Sequence, residues 1–404
     1  MGTTAKSALA GIKVVDLTRV LAGPLCTQML ADNGADVIKI EPPAGDETRK
    51  LGPPFDATGN AAYFSALNRG KRSISLDLSK RSAQEVLHRM LSDADVLIEN
   101  FLPGTMEKWG IGYEDFLASR YPKLVYCSVS GFGRDGPLGS LPGYDAVLQA
   151  VCGVMSVNGT VHSGSTRVGI PVVDHLTGYV ALSGILMALQ ARTRSGQGQR
   201  VEATLYDTAL SLLIPHASNW FASQREPELL GSAHPNIAPY DKFQARDGEI
   251  FIGVVNDGQF ARLCTHIGLD TLPQDSHFKS NANRLAHRNE LKKLIESAIE
   301  NLDAVALCEE LMRVGVPAGN VNSVPNALSH LHAQHRQMIV RRGRYVGLRS
   351  PMCLMSTPAE LGKSPPTFAQ DTQEILHAHG YSEQEIKDLE VSGAIHVPDS
   401  GVSR

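Results

Sequence analysis

Residues 13–41 read KVVDLTRVLAGPLCTQMLADNGADVIKIE, and this stretch decides the fold. Residues 13–17 (KVVDL) are a short apolar run of strand length, residues 23–33 place apolar side chains at helical spacing, and residues 36–41 (DVIKIE) form a second apolar run. The segment is a strand–helix–strand unit. The same alternation returns at 72–78 (RSISLDL), in a helical stretch over 83–92 whose Val86, Leu87, Met90 and Leu91 share one face, at 95–101 (DVLIENF) and at 123–130 (KLVYCSVS). Strands alternating with helices predict a parallel, doubly wound α/β sheet that binds its ligand at the C-terminal ends of the strands.

Beyond the last of these strands, residues 131–143 (GFGRDGPLGSLPG) are dense in glycine and proline and predict a loop. A long apolar helix is expected over 175–190, then a turn at Arg194-Ser195-Gly196, a strand over 200–204 and a helix from about 207. The pattern changes after residue 222. Residues 239–254 (PYDKFQARDGEIFIGV) read as a hairpin around Asp247-Gly248, followed by helices. The expected organisation is a large domain over 1–222, a smaller α+β domain over 223–325, and a return to the large domain over 326–404.

The chain has 404 residues, 42% of them apolar and 20% charged, which suits a globular protein of two domains. A net charge of −4 gives no reason to expect nucleic acid or an anionic membrane as partner. The six cysteines are scattered, with no C-x-x-C pair, which argues against a zinc site or a disulfide framework and for a reducing compartment. No run of ~18 uncharged apolar residues and no leader-like segment is evident, so a cytosolic location is expected.

Three motifs carry two readings each. Gly131–Gly136 fits G-x-G-x-x-G, but Pro137 and Pro142 keep the following chain irregular where a dinucleotide fingerprint needs a helix. The tract 330–335 (HLHAQH) resembles a metal cluster, yet nothing nearby in sequence completes four ligands, so a solvated helix is expected and no metal. Asp174, in VGIPVVDHLTGY (168–179), precedes a long helix and suits an N-cap; the same backbone N–H groups would hold its carboxylate ionised and aimed. Arg19, Lys71, Arg72 and Lys108 fall near strand ends, where they are either solvated or the rim of a local anion site.

Taken together, RVLAGP (19–24), GADVIKIE (34–41), NRGKRS (68–73), NFLPG (100–104), PVVDHLTG (171–178), QGQRVEATLY (197–206) and VPAGNVNSV (316–324) resemble the family III CoA-transferases, the group that includes formyl-CoA and carnitine CoA-transferases. The resemblance runs in order over nearly the whole chain. It implies a Rossmann-like large domain built from both chain ends, an inserted small domain and a homodimer of two interlocked subunits. It places the nucleophile on Asp174, and contacts to CoA on Val20, Leu21, Ala22, Asn68, Lys71, Asn100, Phe101, Lys108 and Phe132. The implied substrates are an acyl-CoA and a small carboxylic acid, with dicarboxylates such as succinate among the candidates, and no tightly bound cofactor.

The implied chemistry is transfer of CoA through an aspartyl thioester and mixed anhydrides, for which an Asp of ordinary pKa suffices. Two positions depart from the family pattern. Pro42 and Leu102 stand where several relatives carry arginines, which leaves Arg49 or Arg72 as candidates to replace them. The related α-methylacyl-CoA racemases use a His-Asp dipeptide where this chain has Tyr144-Asp145, and a tyrosine of pKa near ~10 is a poor base near neutrality. A noncatalytic acyl-CoA-binding protein is the third reading.

Overall fold

The computed structural model describes residues 7–359 and 362–398, which fall into two compact units. The first comprises the described residues up to 152, 168–212, and those from 331 onward. Its centre is a seven-stranded sheet. In chain order its strands are β1 (Lys13–Asp16), β2 (Asp36–Glu41), β3 (Arg72–Leu76), β4 (Val96–Glu99), β5 (Val125–Ser130), β6 (Arg200–Thr204) and β7 (Ile395–His396). Their spatial order is β7-β3-β2-β1-β4-β5-β6. All neighbours are parallel except the short edge strand β7, which runs antiparallel to β3. The α/β class read from the sequence is therefore present, and β7 is an addition the sequence did not announce.

The strands are apolar because helices cover the sheet. Residues 37–41 of β2 and all of β4 are buried. On one face Ile38, Ile74 and Leu97 pack with Val86, Leu87 and Met90 of helix α3 (Arg81–Leu91), the stripe expected from the sequence. Ile375, Leu376, Ile386 and Leu389, from the two C-terminal helices, complete that core and tie the chain's end to its beginning.

The remaining helices that matter for the site are α1 (Ala22–Asp32), α2 (Ala62–Leu67), α4 (Thr105–Lys108), α5 (Asp145–Val151) and α6 (Val172–Ser195). Helix α6 has the length and mean hydropathy, 1.5, of a membrane span. Within unit 1 it packs instead along α1, β5 and β6, burying Val173, Ala181, Ile185 and Ala188. Gly178 sets that contact: a Cβ there would lie 2.8 Å from the Ala22 carbonyl oxygen, so only glycine lets α1 and α6 approach this closely.

The second unit holds 153–167 and 213–330. Its antiparallel sheet joins Tyr240–Gln244 to Glu249–Gly253, the expected hairpin, and adds Ala318–Asn320. Phe243, Ile250, Phe260, Ile295 and Leu311 form its core with three helices. Its limits differ from the 223–325 expected: the segment 153–167 pairs back onto it through Thr160 and Leu230. In the first unit, the histidine tract contributes the short exposed helix Leu331–His335.

Candidate active site

In a sheet of order 3-2-1-4-5-6 the order of the parallel strands reverses between β1 and β4, leaving a crevice at their C-terminal ends. A cavity of about 260 Å³ lies there. The loop after β1 supplies Arg19, Val20, Leu21 and Ala22, and the loop after β4 supplies Asn100 and Phe101. Asp174 enters from the first turn of α6, with Glu47 and Tyr144 at the wall. Residues 131 and 143 cross here at backbone distance, a Cβ on Gly131 meeting the Gly143 Cα at 2.9 Å, which closes the Gly/Pro-rich loop over the cavity edge.

The first loop is tightly held. Val20 adopts φ 68°, a left-handed conformation that a β-branched residue takes only under constraint from its surroundings. Helix α1 starts two residues later, at Ala22, with no side-chain cap; Pro24 has no N–H and Leu25 N–H bonds the Leu21 carbonyl, so the N–H groups of Ala22 and Gly23 are the ones its first turn leaves over, and Ala22 lines the cavity. Beneath the loop, the Lys71 ammonium donates to Asp16 Oδ2 at 3.1 Å, the Pro24 carbonyl at 3.0 Å and Asn68 Oδ1 at 2.7 Å. Lys71 and Asn68 are both buried, at 1% and 0% exposure. The expectation that they touch CoA is corrected: they are props under α1 with no surface to offer a ligand. Burial, only partly offset by Asp16, pushes the Lys71 pKa down to about 8.

Asp174 is the third residue of α6 and does not cap it; the cap residue is Pro171. The N–H groups of Val173 and Asp174 donate instead to Asp145 Oδ2 on α5, at 2.8 and 3.1 Å. Among the described residues no donor holds the Asp174 carboxylate. Burial first, and the Asp145 charge second, push its pKa up to about 7. The expected ordinary pKa and the expected grip by helix N–H groups are both corrected, because a second carboxylate has taken those N–H groups.

Of the other expected contacts, Lys108 ends α4 on the surface and Phe132 packs its ring 6.0 Å from that of Tyr206; neither lines the cavity. Arg49 and Arg72 are not replacements for the missing arginines. Arg49 is buried in a two-pronged pair with Glu41 at 2.7 and 2.6 Å, and Arg72 pairs with Asp36. Among the described residues Arg19 is the one cation lining the cavity, and its Nε is buried without a hydrogen-bond partner there.

Arg19, Phe101 and Leu102 also border a second cleft of about 310 Å³, walled by Ile40, Leu76, Leu78 and Trp109. Pro42 and Leu102 both face it, so it is apolar where arginines were missed. Sequence reasoning overlooked Asp145 as a partner of Asp174, since 29 residues separate them and only the fold joins α5 to α6. It also overlooked His277, His287 and Glu290 in the second unit, whose ligand atoms lie within 4.8 Å. Those two imidazoles stack in parallel, their centroids 4.1 Å apart with 6° between the ring planes, so their in-plane lone pairs do not converge on one ion.

A model of CoA-transferase family III matches residues 9–372 of this chain. A succinate–glutarate CoA-transferase of Agrobacterium fabrum is 39% identical over 385 residues, covering 92% of this chain and 95% of that one. An acetyl-CoA:oxalate CoA-transferase of Acetobacter aceti is 39% identical over 340 residues, covering 84% and 87%. The crystal structure of a CAIB/BAIF family protein from Brucella suis superposes with a TM-score of 0.84 at 39% identity, covering 93% of this chain and all of that one. The chain belongs to CoA-transferase family III and is an enzyme of CoA transfer.

Proposed function

We propose that the enzyme transfers CoA from an acyl-CoA to a small dicarboxylate through a covalent thioester on Asp174. The observation that carries this reading is a carboxylate with no hydrogen-bond donor, in the switch-point cavity, facing the uncapped start of α1. The Asp174 carboxylate attacks the acyl carbonyl, the C–S bond breaks, and CoA departs as thiolate, leaving a mixed anhydride of the acyl group and Asp174. The thiolate then attacks the aspartyl carbonyl and releases the donor acid, leaving CoA on Asp174. The acceptor carboxylate reverses both steps. No proton changes hands, so the requirement on Asp174 is that it be ionised. The free N–H groups of α1 supply stabilisation for the oxyanions, in place of the α6 groups engaged by Asp145.

The long ligand is accommodated by the two adjoining cavities. Arg19, with its unpartnered Nε, and the α1 start take the anionic phosphates, while the apolar cleft beside Phe101 and Trp109 takes the adenine ring. The dicarboxylate preference rests on relatives named for succinate, glutarate and oxalate. Helix α6 leaves Val180 and Met187 exposed and α5 leaves Val147 and Val151 exposed, an apolar surface suited to a second copy in an interlocked homodimer. Six free cysteines suit a cytosolic setting.

The test is steady-state kinetics with succinyl-CoA or acetyl-CoA as donor and glutarate or oxalate as acceptor. Parallel double-reciprocal lines, with activity lost in Asp174→Ala, support the reading; converging lines with activity retained in that variant refute it.

A further inference from the structure

Asp145 is 7% exposed, yet its carboxylate is fully engaged. Oδ2 accepts from the N–H groups of Val173 and Asp174, at 2.8 and 3.1 Å. Oδ1 accepts from Gln149 Nε2 at 2.6 Å. Gln149 is itself fully buried, and its Oε1 accepts from the Val168 N–H at 2.8 Å. One continuous chain of hydrogen bonds thus ties the segment entering α6, through α5, to the peptide N–H of the residue proposed to react.

We infer that Asp145 is the positioning residue of the transfer reaction: it fixes the first turn of α6 and places a negative charge against the Asp174 carboxylate. The inference rests on the reading of Asp174 as nucleophile. A side chain that served only as a cap would do as well uncharged, since asparagine and serine cap helices about as effectively as aspartate. A carboxylate here adds a like charge beside a partly buried acid. That makes Asp174 more basic and, because nucleophilicity rises with basicity, more reactive toward a thioester once ionised.

The groups that face Asp174 from neighbouring elements are few. Asp145 comes from α5, Tyr63 from α2, and Arg19, Glu47 and Tyr144 line the same cavity, with His175 next along α6. Tyr63 responds to the same pair: burial, then the charges of Asp174 and Asp145, push its phenol up to about 12. His175 is turned back along the helix, its Nδ1 2.9 Å from the Pro171 carbonyl. Among the described residues that line the cavity, Arg19 alone opposes the negative charge of the two carboxylates.

Gln149 makes a clean test available. In the double variant Asp145→Asn/Gln149→Glu every hydrogen bond can be kept: the Asn oxygen accepts from the two N–H groups, its amide donates to the Glu carboxylate, and that carboxylate accepts from Val168. The negative charge moves one side chain away from Asp174. The experiment is the pH profile of kcat/KM for acyl-CoA in wild type, Asp145→Glu, Asp145→Asn and the double variant. Hydroxylamine trapping accompanies each assay.

The expected result is an acid limb near the Asp174 value in wild type and in Asp145→Glu. In Asp145→Asn and in the double variant that limb falls by about one unit or more. A folded double variant whose limb stays in place, with hydroxamate still forming at Asp174, overturns the role given to Asp145. Absence of any adduct on the wild-type Asp174 overturns the nucleophile reading beneath it. Should the single Asn variant fail to fold, the double variant carries the comparison alone.

Discussion

The side-chain amide of Asn100 grips both backbone polar groups of Arg19, accepting from its N–H at 2.9 Å and donating to its carbonyl at 2.7 Å. These residues follow β4 and β1, the two strands that flank the switch point. The clamp fixes the width of the cavity mouth. Asn100→Ala removes two neutral hydrogen bonds of about 1 kcal/mol each and is expected to raise KM for acyl-CoA by up to about 30-fold. Asn100→Asp keeps the acceptor but sets an oxygen against the Arg19 carbonyl, and should do no better than alanine. Steady-state kinetics on the three proteins check this; an unaltered KM in both variants contradicts it.

Arg19→Ala removes the cation from the cavity lining. A charge-assisted contact to a phosphate is worth about 1.5–3 kcal/mol, so affinity for CoA should fall about 10- to 150-fold, and Arg19→Lys should recover only part. Isothermal titration with CoA at two salt concentrations measures it. The expected loss is smaller at high salt, where the wild-type attraction is itself screened.

Lys71 gives the opposite pattern. Its ammonium is buried against Asp16, and Lys71→Ala leaves that carboxylate without its cation, a change that costs about 3–5 kcal/mol when a buried pair is broken. Chemical denaturation should show the loss directly. A variant of near wild-type stability that binds CoA weakly would show that Lys71 reaches the ligand.

Asp174 makes stability depend on pH. Its pKa is about 7 in the folded protein and about 3.9 when unfolded, so between those values the folded state holds more protons. Stability is therefore lost as pH rises from about 4 to 7, and the loss is complete above 7. Asp174→Asn has no such loss. Its melting temperature should match wild type near pH 4 and exceed it at pH 8, which differential scanning fluorimetry across that range would show.

The sheet was legible because parallel strands buried on both sides must be apolar and must alternate with helices; 13–41 alone displays that grammar. The edge strand β7 was not, since two residues, Ile395 and His396, carry no period. At the site, Asp174, Val20 to Ala22, Asn100 and Phe101 stand out in the sequence because each lies in a colinear motif, and all of them line one cavity. Lys71 and Asn68 share such a motif, but a motif does not say whether a polar side chain faces ligand or props a turn. Asp145 escaped because capping a helix from 29 residues away is a tertiary event, visible only once α5 lies against the start of α6.

In the proposed reaction CoA becomes bonded to Asp174. The most direct test is intact-protein mass spectrometry after mixing the enzyme with succinyl-CoA without acceptor, followed by hydroxylamine and peptide mapping. The expected result is a CoA adduct that hydroxylamine converts to a hydroxamate on Asp174 and that glutarate discharges. A protein that turns over succinyl-CoA and glutarate yet carries no adduct at Asp174 at any time would contradict it.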